Sequence, residues 1–252
     1  GTGLTGAGYT ALRFNTTGNY NTALGDAALY SNTTASENTA VGYNAGYSNT
    51  TGAENTAIGL RSLQTNTTGS RNTAVGRGAL LFNTTASENT AVGYQSLYQN
   101  TTGTANNANG YVSLYSNTTG SNNTAYGHDS LSSNTTASNN TAVGHEALKD
   151  NTTGTINTAL GRQALANNTT GIENTAVSYA MVSNTNGSHN TAVGLGALQL
   201  NTSASHNTAT GRESLYSNTT GAENSAFGSG ALVTNTTGSY NTGLCLHLKV
   251  LL

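Results

Sequence analysis

A single seventeen-residue phrase, clearest as NTTGSRNTAVGRGALLF over residues 66–82, repeats along nearly the whole chain. It restarts at Asn15, Asn32, Asn49, Asn66, Asn83, Asn100, Asn117, Asn134, Asn151 and Asn168. After a one-residue deletion between Val177 and Asn184 it resumes at Asn184, Asn201, Asn218 and Asn235. A fixed period of this length marks a solenoid or array. One unit is too short to bury a core alone, so each must stack on copies of itself. The spacing therefore predicts an all-β solenoid of about 14 stacked coils. Residues seventeen apart would lie about 4.8 Å apart along the axis.

Columns, counted from the Asn that opens each unit, carry the rest of the reading. Columns one to four, Asn-Thr-Thr-Gly or Asn-Thr-Thr-Ala, read as a turn, because Asn and Gly both accept left-handed backbone. Column seven is Asn again, as at Asn21, Asn38, Asn55, Asn72, Asn89, Asn123, Asn140 and Asn157. These residues are candidates for a structural amide ladder, in which like side chains bond along the axis. A short Thr-Ala-Val strand follows and Gly closes it. Alternation puts column-eight Thr and column-ten aliphatic on one face and column-nine Ala on the other. A second strand is expected over Ala-Leu in columns fourteen and fifteen. The expected coil core is then column ten (Leu24, Val41, Ile58, Val75, Val92) facing column fifteen (Leu63, Leu80, Leu97). The chain has no Pro, which suits strands whose every N–H enters a ladder. Local distortion is expected where Asn109 enters column ten and at the deletion.

The segmentation that follows is a degenerate partial coil over 1–14, the repeat domain over 15–244, and an apolar non-repeat tail over 245–252. The chain opens at Gly1 in mid-repeat, as a fragment or processed piece would. Composition narrows the partners. Charged residues make up 7%, the net charge is −2, and no basic stripe is present. That argues against nucleic acid, which demands neutralised phosphates. No run of about 18 apolar residues exists to enter a membrane. Cys245 is the only cysteine and has no internal disulfide partner. Two aliphatics per coil make a thin interior, so a second apolar face is expected in the small Ala column from Ala23 to Ala226. It would let solenoids pack side by side as a homotrimer.

The phrase Asn-Thr-Ala-Val-Gly followed by Ala-Leu, over Gly8 to about Gly243, resembles the YadA-like head repeats of trimeric autotransporter adhesins. It is closer still to the seventeen-residue NTAxGxxALxxNTTG arrays of phage tail fibres and bacterial surface proteins. The resemblance implies a left-handed parallel β-roll, trimeric and extracellular, on a cell surface or a virion fibre. In that setting such a module serves attachment or host recognition, with a host-surface glycan or matrix protein as partner.

Candidate chemistry is sparse. Tyr30 and Tyr47 share a column, as do Tyr98 and Tyr115, and aromatic rows of this kind can contact sugar rings. His128 and His145 share one column and His189 and His206 another, without a completing ligand set, so no metal or cofactor is expected. Arg71 lies between glutamates of column six, placed for an inter-coil ion pair. Asn-Thr-Thr matches the glycan acceptor motif at nearly every start. Glycans about 4.8 Å apart would crowd one another, and a structural role is expected instead. No catalytic constellation is present, so an enzyme is not expected. The expected function is a structural or adhesive fibre module. The alternative is an ice-binding solenoid using Thr and Asn ladders, which a flat, exposed Thr array would favour.

Overall fold

The computed structural model describes residues Gly1–Cys245, and the apolar stretch 246–252 lies outside the described residues. All regular structure within them is β. Two compact units divide the chain at Asn139 and Asn140. The first unit holds β1 (Thr5–Ala7), β2 (Thr22–Leu24), β3 (Thr39–Val41), β4 (Thr56–Ile58), β5 (Thr73–Val75), β6 (Thr90–Val92), β7 (Asn107–Asn109) and β8 (Thr124–Tyr126). In the second are β9 (Thr141–Val143), β10 (Thr158–Leu160), β11 (Thr175–Val177), β12 (Thr191–Val193), β13 (Thr208–Thr210), β14 (Ser225–Phe227) and β15 (Thr242–Leu244).

Within each unit every strand pairs in parallel with the strand one lap on, like residue against like, as in Thr73↔Thr90 and Thr158↔Thr175. Each unit is thus a parallel β-solenoid with one three-residue strand per lap. The lead-in belongs to it, since Thr5 pairs with Thr22.

The strand faces are inverted relative to the sequence expectation. Column-nine Ala points inward: Ala40, Ala74, Ala91 and Ala142 are 0% exposed. Column ten points outward, with Leu24 and Ile58 each 39% exposed and Val41, Val75 and Val92 half-buried. Column-eight Thr shares that outer face and is half-buried. The cause is the width of the coil. Column-fifteen Leu fills the interior from the opposite side, with Leu63 at 1% and Leu80 and Leu97 at 0% exposure. Where Gly6 replaces the Ala, an added Cβ would sit 3.6 Å from Leu12 Cδ1, ordinary van der Waals contact. A methyl group meets the leucine there, and a branched side chain would overpack the lap. Ala is therefore unavailable for contact between chains.

The expected second strand is absent. Columns twelve to sixteen form consecutive turns, and column-fifteen Leu adopts left-handed backbone, as at Leu80 (φ 51) and Leu114 (φ 50). Columns six and thirteen do the same, as at Arg71 (φ 58) and Gln95 (φ 51). Left-handed backbone is unfavourable for L-residues with a Cβ. It persists here because N–H groups at these positions still enter the inter-lap ladder. Leu80 N–H donates to Ser96 O at 3.0 Å, and Arg71 N–H to Ala53 O at 3.0 Å.

Neither irregular lap breaks the sheet. Asn107–Asn109 pairs in register on both sides, and Asn109 is exposed, so its polar side chain stays out of the core. The deletion removes the column-thirteen residue, which is half-buried Gln163 in the lap before and buried Gly196 in the lap after. Ala180 and Met181 take the next two interior places at 0% exposure, and Thr175↔Thr191 stay in register.

Candidate functional site

The interior is built as much from amides as from hydrocarbon. In column one each Asn donates from Nδ2 to the Asn Oδ1 of the preceding lap, as Asn66 does to Asn49 at 2.8 Å. The same Nδ2 also reaches its own column-four carbonyl, Gly69 O, at 2.9 Å. In column seven the backbone N–H of each Asn donates to the previous Asn Oδ1: Asn55 to Asn38, Asn72 to Asn55 and Asn89 to Asn72, at 2.9, 2.9 and 3.0 Å. Asn38 and Asn123 do likewise to Asn21 and Asn106. In the second unit Asn157 N–H donates to Asn140 Oδ1 at 2.9 Å. The two columns meet on one acceptor: Asn55 Nδ2 also donates to Gly69 O at 2.9 Å. Both lone pairs of that carbonyl are thus used, which makes a fully satisfied buried network.

This geometry closes the Asn-Thr-Thr acceptor motifs. From Asn32 to Asn134 the column-one amides are at most 1% exposed, with Nδ2 committed to internal acceptors. Folded protein offered to an oligosaccharyl donor system is expected to stay unmodified at Asn66, Asn83 and Asn100. Intact-protein mass spectrometry checks this, and occupancy at those three sites would refute the burial.

The aromatic columns place rings on rings. Tyr30 stacks on Tyr47 at 4.9 Å and 3°, and Tyr98 on Tyr115 at 5.1 Å and 2°. Phe14 and Phe82 meet Tyr30 and Tyr98 edge-on. Faces between paired rings are covered, so a ligand meets these tyrosines at ring edges or at the end of a stack. Tyr94, Tyr111 and His128 form a second stack in column twelve.

Titratable groups are scattered. His189 stacks on His206 at 4.8 Å, with His189 Nδ1 3.2 Å from Glu173 Oε2. Arg71 pairs with Glu88 at 3.0 Å. Hydrogen bonds from Lys149, then from Gln163, lower the Glu146 carboxyl to about 2. Among the described residues no three His, Cys, Asp or Glu side chains converge as a metal site would require.

No family model, no curated protein and no solved structure matches the chain. Its surfaces must be read on their own chemistry. Two remain. One is the outward strand face of columns eight and ten. The other is a row of hollows between columns twelve and sixteen in the first unit, lined by Tyr43, Arg61, Arg77 and Tyr98 among others. Sequence reading does not single out Arg61, Arg77 or Gly78. The available signal is a glycine in column thirteen between laps that carry Arg61 and Gln95.

Proposed function

We propose that the chain is a rigid structural and adhesive module of an extracellular fibre, without catalytic activity, whose copies associate side by side as a homotrimer. The supporting observation is the outward column ten. Leu24 and Ile58 in the first unit, and Val143 (40%), Leu160 (39%) and Phe227 (43%) in the second, present apolar side chains to solvent lap after lap. An apolar strip on a polar surface, here interrupted at Asn109 in the first unit and at Thr210 in the second, is characteristic of an interaction face. Three narrow strips turned toward a common axis cover one another and close the assembly. The interface thus lies on columns eight and ten, and the Ala column stays inside. Low charge and the resemblance to surface-fibre repeats support the extracellular setting.

Sedimentation tests the reading. The wild-type chain is expected to sediment as a trimer, and Ile58→Asp, Val75→Asp and Val92→Asp together to release monomers of unchanged fold. Column ten tolerates polarity, since Asn109 and Thr210 already occupy it. A wild-type monomer at the highest soluble concentration would refute the assembly.

Ice binding retains one specific support: column-eight Thr faces outward, contrary to the sequence expectation. Tyr126 and Phe227 interrupt the flatness of that face. Thermal hysteresis by the monomeric triple variant, with its Thr column intact, would favour that reading over the fibre.

A further inference from the structure

In the first unit, the hollow of about 270 Å³ over Gly78 is lined by Tyr43, Leu60, Arg61, Arg77, Leu81, Gln95 and Tyr98, with Gly78 at its floor. We infer that it binds one carboxylate-bearing sugar residue of an acidic polysaccharide. Size is the first ground. The volume lies below the roughly 300–1,000 Å³ of drug-sized sites and suits a single ring.

Charge is the second ground. The chain has only 8 Lys and Arg, yet two of them, Arg61 and Arg77, line this one hollow. The described arginine ion pairs engage Arg71 and Arg212, and neither Arg61 nor Arg77. Arg77 is steadied from outside the hollow by the ring of Tyr94, 5.8 Å from its guanidinium carbon. Two planar guanidinium forks without an internal acid match a carboxylate.

Apolar surface is the third ground. Tyr43, Leu60, Leu81 and Tyr98 supply it and Gln95 adds an amide, the combination that takes a pyranose by its C–H face and its hydroxyl rim.

Glycine in column thirteen leaves room in this lap that a side chain would take up. A Cβ at Gly78 would stand 3.3 Å from Tyr98 Cε2 and 3.5 Å from Gln95 Cγ. In the second unit Gly196 occupies the same column, but nearby Arg212 is bound by Glu213 at 2.9 Å. That glycine serves as an internal comparison without a free cation. The Gly78 hollow shares no residue with the outward strand face, so its occupancy is independent of trimer formation.

The test is calorimetric titration of the full chain with trigalacturonate, maltotriose and sodium sulfate in parallel. Trigalacturonate is expected to bind saturably, and Arg61→Gln and Arg77→Gln each to weaken it by about tenfold. Gly78→Gln should abolish binding by filling the hollow. It should still fold, with melting lowered only modestly, since Gln95 holds the same column at φ 51 and Gly78 sits at φ 67. Four results would each overturn the assignment: no binding of trigalacturonate, equal binding of maltotriose, equal binding of sulfate, or binding that survives Gly78→Gln.

Discussion

Gly76→Ala is expected to cost about 3 kcal/mol or more, the sum of a forbidden backbone and a collision between laps. Gly76 sits at φ +131, a region that only glycine occupies without strain. An added Cβ would lie 2.3 Å from Gly93 O of the next lap. That oxygen is backbone and cannot swing aside, so the laps must separate locally. Thermal unfolding followed by circular dichroism should show the loss. Hydrogen exchange should place the opening on the laps beside residue 76, because stability in such an array is a sum of neighbouring contacts. The chain contains its own control. Ser178 holds this column at φ 77, in the lap that lacks the column-thirteen residue. Gly76→Ser combined with deletion of Gly78 should therefore recover part of what Gly76→Ala loses. A Gly76→Ala protein that unfolds within about 0.5 kcal/mol of wild type would show that the turn is not constrained as described.

Asn72→Leu should be nearly as damaging, despite the same branching and heavy-atom count and greater hydrophobicity. Asn72 Nδ2 donates to Ala86 O at 2.9 Å and to Asn55 Oδ1 at 3.1 Å, and its Oδ1 accepts from Asn89 N–H at 3.0 Å. Leucine removes all three bonds and leaves the Asn89 N–H buried without an acceptor. A stranded buried donor costs about 1–3 kcal/mol and each net bond about 1, so a loss of about 3–5 kcal/mol is expected. Chemical denaturation measures it. Asn72→Asp distinguishes bonding from shape. It keeps the acceptor for Asn89, but turns an anion toward Asn55 Oδ1 and Ala86 O. It should be at least as unstable as the leucine variant at neutral pH. If leucine proved neutral, the amide column would be filler and the account of the interior would be wrong.

The seventeen-residue period was enough to read the lap, its register and the amide columns, because an unvarying Asn has few uses other than a ladder. Alternation also grouped Thr73 with Val75 and opposed them to Ala74. What it could not settle was which group faces inward. The usual ranking sends valine inside, but that ranking assumes room. Here Leu80 reaches across from the far wall and only a methyl fits opposite. Leu80 misled a second time. Its hydrophobicity beside Ala79 suggests a strand, while its backbone is left-handed and held by a single inter-lap bond to Ser96. A local propensity has no access to that bond. The hollow over Gly78 was hidden for another reason. Its lining comes from several laps around a residue with no side chain, and no contiguous motif records it.

The lap that dispenses with its column-thirteen residue while Met181 stays in place carries a lesson about evolvability. Losses, exchanges or grafted peptides at that spot need not disturb the paired backbone on either side. A lineage built on such a chain can revise what it displays to the outside world one lap at a time, with the scaffold held constant.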